Sequence, residues 1–222
     1  MNDEAKRAVV TVGSGRGLVM QGARNAFVVT AAHCLPFFPP CISASHTEER
    51  TYKGLLGQLG EEPTVWAECL FVDPISDLAV LGPPDGQALS DETTAYEALI
   101  GASVLLSISH PSDATPAWLL SLDGRWFECL VHSYGGPLWI TNAAEPIVGG
   151  MSGSPILTHD GSALGILCTS CTESYQAEGG PNPSLAHNLP SWLVGELSAA
   201  TGCCRGQRAG PTKSPGGERG AS

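Results

Sequence analysis

Charge is scarce in this chain of 222 residues: Asp, Glu, Lys and Arg make up 15% of it, and only 11 residues are basic. Binding a phosphate backbone needs clustered Lys and Arg, whereas the net charge here is −11. The imbalance is larger in the body. The stretch from Cys203 onward carries a net +3, which leaves −14 for the rest. Nucleic acid is therefore not an expected partner, and the acidity reads as a means of solubility. Long apolar runs are also missing. No segment approaches the roughly 18 uninterrupted apolar residues of a membrane helix, so no membrane partner is expected. The start, Met1 to Arg7, is charged and leads directly into Ala8-Val9-Val10-Thr11-Val12. It lacks a basic opening followed by a longer apolar run, so no signal peptide is expected, and the expected location is the cytoplasm unless the chain is already processed. Aromatics are few, at 6%, and the five tryptophans are expected in the core.

Eight cysteines are present, a number that in a secreted chain suggests a disulfide framework. With no signal peptide, they read as mostly reduced thiols. Cys168-x-x-Cys171 has the spacing of a metal-ligand pair, but a second pair is not evident. The alternative is two thiols on a strand and its turn. Neither a metal nor a cofactor is expected.

Glycine and proline are abundant, 27 and 17 residues, which suits short strands and tight turns better than a helical bundle. Apolar or β-branched runs suggest strands over 8–12, 17–20, 26–30, 66–71, 78–81, 103–107, 118–122, 126–132, 138–141, 155–157 and 163–168. So many strands with so little helix predict an all-β protein of antiparallel barrels. The polar stretch 82–98 reads as the loop between two lobes. In that division a single domain covers 1–202, with a first barrel over about 1–85 and a second over about 99–190. A helix is expected over about 190–200, capped by Asn188 or Ser191, with Trp192, Leu193, Val194 and Leu197 as its apolar face. The stretch 203–222 has almost nothing to bury and reads as a disordered tail. No internal repeat is evident.

Three motifs carry chemistry. Thr30-Ala31-Ala32-His33-Cys34 places a histidine after a small apolar run, Ser76-Asp77-Leu78-Ala79-Val80-Leu81 an aspartate at the head of an apolar strand, and Gly149-Gly150-Met151-Ser152-Gly153-Ser154-Pro155 a serine between glycines. A serine hydroxyl is a weak nucleophile. It needs an imidazole to take its proton, and the imidazole needs a carboxylate to fix its tautomer. Ser152, His33 and Asp77 are the candidates for those roles. Asp73 is a rival carboxylate. His46, His110, His132 and His159 read as structural or surface residues. The oxyanion formed on attack needs preorganised donors. The N–H groups of Gly150 and Ser152 can supply them if the glycines let the turn take an unusual path.

Together these motifs make the chain resemble a chymotrypsin-fold serine peptidase. Gly13-Ser14-Gly15, Asp73-Pro74-Ile75-Ser76-Asp77, Ile108-Ser109-His110-Pro111, Thr141-Asn142-Ala143-Ala144, Gly150 to Pro155 and Leu189-Pro190-Ser191 are closest to the Deg (high-temperature-requirement) and glutamyl-endopeptidase branches. The resemblance spans residues 8 to about 200. It implies two six-stranded antiparallel barrels with a C-terminal helix, and a serine endopeptidase working through an acyl-enzyme on a limited set of protein or peptide substrates. Two departures stand out. Cys34 has no cysteine before it, so the disulfide that secreted trypsin-like enzymes make at this place is not expected. Met151 replaces the aspartate that pairs with a freed N-terminus in zymogens, so activation of that type is not expected.

The resemblance also assigns a substrate pocket, walled by Glu145 and Pro146 on one side and by Cys168, Thr169 and Ser170 on the other, with Ala186 to Asn188 behind. Pro146 falls near the place of a base-binding aspartate, so cleavage after Arg or Lys is not expected unless Glu145 reaches in. His187 in the pocket would favour an acidic or amide side chain. The alternative is a histidine satisfied at a strand end. The rival to an active enzyme is a latent or partner-activated binding module on the same fold, whose mark would be a flipped Met151–Ser152 peptide aiming a carbonyl into the oxyanion hole. A third reading is a protease that cleaves one dedicated companion protein.

Overall fold

The computed structural model describes residues 3–22, 25–41, 47–168 and 179–195. The first six strands are β1 (Val9–Val12), β2 (Gly15–Gln21), β3 (Ala26–Ala31), β4 (Thr51–Gln58), β5 (Val65–Asp73) and β6 (Leu78–Gly82). They close into a barrel in the order β1-β2-β3-β6-β5-β4, with every neighbour antiparallel. Every residue of β6 is buried, which is why its sequence Leu-Ala-Val-Leu-Gly shows no polar alternation: one face fills the barrel and the other is covered.

The second half supplies β7 (Thr115–Leu120), β8 (Trp126–Ser133), β9 (Leu138–Thr141), β10 (Pro155–Thr158), β11 (Ala163–Ile166) and β12 (Gly179–Asn182), in the order β11-β10-β7-β8-β9-β12. The two ends of this sheet meet just past β12, where Gly165 bridges Ser184 and Ile166 N donates to Pro183 O at 3.4 Å. The expected pair of six-stranded antiparallel barrels is thus the fold.

One apolar cluster fills the first barrel and continues into the second half through Leu157, Ala163 and Ile166. Leu185, Leu189 and Leu193 also join it. A separate cluster fills the second barrel and contains Met151. A short helix α3 (Leu185–Asn188) follows β12, and residues 191–195 then turn helical, with Pro190 O accepting from Leu193 N (2.9 Å) and Val194 N (3.0 Å). The expected last helix thus begins at Ser191. Its continuation, with Leu197 and the stretch 203–222, lies outside the described residues, as do His46 and Cys171.

Several elements differ from the sequence reading. The stretch 82–98 is not all loop: α2 (Ser90–Gly101) begins within it, after a four-residue α1 (Thr47–Arg50) earlier in the chain. Only Tyr96 and Ile100 of α2 are buried, too few to mark a helical stripe in the sequence. Tyr96 fixes the helix to the first barrel by donating to Ala26 O (3.1 Å) and Leu81 O (3.3 Å). The expected strand over 103–107 is not one. It makes only an isolated bridge, Met20 to Leu106, and none of its residues is fully buried. β12 takes its place as the sixth strand of the second barrel, and β4, also unexpected, completes the first. Two glycines and a register shift between Tyr52 and Leu56 break the pattern of β4.

Candidate active site

β3 ends in Thr30 and Ala31, and Ala32–Cys34 then form a 3-10 turn. Thr30, Ala31 and Ala32 are fully buried, so only small side chains fit where the turn leaves the barrel. Leu35 N closes it on Ala32 O at 3.0 Å. The turn leaves His33 half exposed beside the residue that opens β6.

That residue is Asp77, and it is held from three sides. Its Oδ1 accepts from His33 N at 2.9 Å, its Oδ2 lies 2.6 Å from His33 Nδ1, and its carbonyl accepts from Ala32 N at 3.1 Å. An ionised carboxylate only accepts, so this geometry places the ring proton on Nδ1 and leaves Nε2 with a free lone pair. Asp77 has φ 57°, a left-handed conformation that costs a non-glycine residue about 1–3 kcal/mol where the surroundings impose it. The preceding turn imposes it here. Asp73 Oδ1 accepts from Ile75 N (2.9 Å) and Ser76 N (3.3 Å), and its Oδ2 from Ser76 Oγ (2.5 Å). Burial alone would raise the Asp73 carboxyl, but the bonds from Ser76 Oγ, Ile75 N and Ser76 N together outweigh it and hold the carboxyl below its usual range. The rival carboxylate is therefore spent on its own turn, and the one meeting His33 is Asp77.

Ser152 stands on the turn between the second barrel's core and β10. Met151 N donates to Val148 O (3.3 Å), Ser154 N to Met151 O (3.0 Å), and Gly153 N to Leu167 O (2.6 Å). The Met151 carbonyl is thus turned into the 151–154 turn. In a trans peptide the N–H points the opposite way, so Ser152 N–H faces out of it. The flipped peptide that would mark a latent module is not found. Met151 is buried in the second core, with its Sδ 3.4 Å from Val148 N. Gly150 has φ +88° and Gly153 φ +80°. At Gly153 a Cβ would also stand 1.8 Å from Arg16 O, so no other residue fits. Ser154 is fully buried, with its Oγ 3.3 Å from Arg16 Nη1; Ser152 is the more open hydroxyl.

The first barrel grips this turn directly. Arg16 N donates to Ser152 O at 2.7 Å, and the Cys34 thiol lies 3.9 Å from the same oxygen. Cys34 therefore links the residue after His33 to the residue bearing the candidate nucleophile. Burial pushes its thiol up to about 11, so it stays protonated near neutral pH and is no rival nucleophile. Ser152 Oγ and His33 form no hydrogen bond in this structure; such contacts often tighten only once a substrate is bound.

The expected pocket residues are brought together only in part. Cys168 reaches the site, with its thiol 3.2 Å from Asp77 O and its N–H on Asn182 Oδ1 at 2.7 Å. Burial pushes the Cys168 thiol far up. Glu145 is turned to Arg125, 3.0 Å away, which Asp123 holds at 2.7 Å. Its carboxylate is thus occupied. Pro146 is exposed. His187 sits on α3 rather than at a strand end, with Nδ1 3.1 Å from Ser184 Oγ and its ring edge-on to His110. Thr169 and Ser170 lie outside the described residues.

Two hollows flank the site. One of about 570 Å³ runs from Gly150 between the 13–16 turn and the 59–63 and 122–124 loops. The other, about 250 Å³, opens beside Asp77 and Cys168 and is lined by Ile75, Pro137, Pro181 and Pro183. Sequence reasoning missed Arg16, Thr30 and Asn182, all buried polar residues that tie the site together. The one signal available was an arginine inside an otherwise uncharged strand, β2.

A family model described as a trypsin-like peptidase domain matches residues 13–166. Among solved structures, the chain is similar to the serine protease of a human pathogenic astrovirus, with 16% identity, 83% of this chain and 94% of that chain covered, and a TM-score of 0.47. It is also similar to the Rv3671c protease from M. tuberculosis. In the active form the identity is 14%, the coverage 88% and 82%, and the TM-score 0.49. In the inactive form the identity is 16%, the coverage 87% and 89%, and the TM-score 0.48. No curated protein matches the chain in sequence.

Proposed function

The chain belongs to the trypsin-like peptidase domain family, and from that premise we propose that it is a serine endopeptidase acting through Ser152, His33 and Asp77. The observation that carries this reading is the doubly held aspartate: both oxygens of Asp77 meet His33, one at the backbone N–H and one at Nδ1. A carboxylate so placed keeps Nε2 available as a base and stabilises the imidazolium once it has taken a proton.

The reaction follows from those roles. His33 Nε2 takes the Ser152 proton as Oγ bonds to the scissile carbonyl carbon. The carbonyl electron pair moves onto its oxygen, which the N–H groups of Gly150 and Ser152 receive. Collapse of the tetrahedral adduct breaks the C–N bond, and His33 returns the proton to the departing amine. Water, activated by the same imidazole, then splits the acyl-enzyme and restores Ser152. The substrate is a protein or peptide chain lying extended across the site, at about 3.3 Å per residue, with one flanking hollow for each side of the scissile bond. Glu145, paired with Arg125, gives little attraction to a basic side chain, so cleavage after Arg or Lys is not the preference. The motifs around residues 13–15 and 150–155 favour the Deg and glutamyl-endopeptidase branches within the family.

A fluorophosphonate probe tests the reading. Wild-type protein should be modified at Ser152, and Ser152→Ala should take up no label. Unmodified wild type, or label retained in Ser152→Ala, would overturn it.

A further inference from the structure

We propose that Arg16 is a positioning residue that clamps the nucleophile turn of the second barrel onto the first. The inference rests on the endopeptidase reading, because what the clamp holds is Ser152.

Arg16 meets three successive residues of that turn in three different ways. Its N–H donates to Ser152 O at 2.7 Å. Its carbonyl fills the space of a Gly153 side chain, 1.8 Å from where the Cβ would be. Its Nη1 donates to Ser154 Oγ at 3.3 Å. The rest of the guanidinium holds the end of β7. Nη1 donates to Leu120 O (2.8 Å), and Nη2 to Ser121 O (2.9 Å) and Leu122 O (3.4 Å). Leu122, held this way, puts its Cδ2 3.3 Å from where a Gly150 Cβ would stand. Both ends of the 150–154 turn thus press on groups that Arg16 fixes. Thr30 completes the clamp from β3, three residues before His33, by donating to Arg16 O at 2.6 Å.

The chemistry calls for arginine in particular. Three successive carbonyls and a hydroxyl need donors spread over a rigid plane, which a guanidinium has and an ammonium lacks. The arrangement is also costly. Arg16 is 6% exposed, and no carboxylate among the described residues pairs with it. Burial accordingly lowers its pKa. A buried cation without a counter-charge is unfavourable where an apolar side chain would pack as well, so a gain in placement rather than in packing accounts for it. Met151 stands where zymogen-type enzymes carry an aspartate for a freed N-terminus. The clamp comes instead from an internal side chain and uses no freed N-terminus.

A brace that merely stabilises the barrels would behave differently, and four proteins separate the two roles. Arg16→Met keeps the length and the backbone contacts and removes every side-chain donor. Arg16→Gly leaves a hole that free guanidinium at millimolar concentration can fill. Arg16→Lys keeps the charge without the fork. Tyr96→Phe loses the bonds to Ala26 and Leu81, far from the turn, and serves as a control for lowered stability. At a temperature where all are folded by circular dichroism, Arg16→Met should react with the fluorophosphonate about 100-fold more slowly than wild type, the scale of a lost oxyanion donor. Arg16→Lys should recover only a minor part, Arg16→Gly should regain at least about tenfold with guanidinium, and Tyr96→Phe should react at the wild-type rate. Amide exchange gives a second reading, independent of labelling: protection at Gly153 and Ser154 should fall in Arg16→Met while the barrel strands keep theirs. A folded Arg16→Met with wild-type reactivity and wild-type exchange at 153 and 154 would overturn the clamp. Wild-type protein that never labels would overturn the endopeptidase reading instead, and the exchange result would still decide the clamp.

Discussion

The aspartate motif shows how much one residue's backbone can decide. Asp73 and Asp77 are four residues apart and chemically identical, yet only one can serve His33. The difference is that Asp73 binds Ile75 N, Ser76 N and Ser76 Oγ, which bends the chain and throws Asp77 into φ 57°. That bend directs both Asp77 oxygens at His33. Asp77→Asn therefore makes a sharp prediction. The amide nitrogen cannot accept from Nδ1–H, so the ring changes tautomer and its Nε2 becomes a donor. Reactivity of Ser152 should fall by about 10⁴, the scale of this change in a serine triad, while the circular dichroism spectrum stays that of wild type. A loss under tenfold, measured as the fluorophosphonate rate, would mean that Asp77 does not set the tautomer.

Legibility from sequence varied from element to element. β3 and β6 could be read because each is an apolar run with a motif residue at its end. β4 was not, since Gly54 and Gly57 interrupt Tyr52, Leu55 and Leu56 and the pairing shifts register there. β12, Gly-Gly-Pro-Asn, has no apolar run to read; it pairs with β9, and the Asn182 side chain ties it to Cys168 N and Leu138 O. Arg16 escaped for the same reason. Its partners are carbonyls 104 to 106 residues away, and a carbonyl leaves no mark in a sequence. The proposed triad was legible because nucleophile, base and carboxylate must be particular residue types. The framework around it was not, because backbone atoms supply much of it. The helical turn at 191–195 was legible from its apolar spacing, and its role carries a prediction. Leu193 is 1% exposed and belongs to the first barrel's core although it follows the second barrel in sequence. Leu193→Ala should destabilise the protein by about 2–5 kcal/mol, the usual range for a buried leucine, read from urea unfolding. A cost below about 1 kcal/mol would mean the turn is not seated in that core.

At the scale of the whole molecule, the division of labour between the barrels governs how the site is lost. His33 and Asp77 belong to the first barrel and Ser152 to the second, so the site exists only while the two are docked. The docking surface is continuous with the first core: Leu157, Ala163 and Ile166 of the second half lie in the same cluster as Val28, Ala31 and Leu78. To separate the barrels is to expose part of that core, at roughly 25 cal/mol for each Å² of apolar surface uncovered. The second barrel keeps a cluster of its own, but the first core is laid open where Leu157, Ala163, Ile166 and Leu193 leave it. A state with both barrels folded but apart should therefore not accumulate, and unfolding should be a single transition. In urea, the loss of fluorophosphonate reactivity at Ser152 and the loss of far-ultraviolet circular dichroism should share one midpoint. If reactivity disappears at clearly lower urea than the strands do, the barrels undock before they unfold, and the shared cluster contributes less than its burial implies.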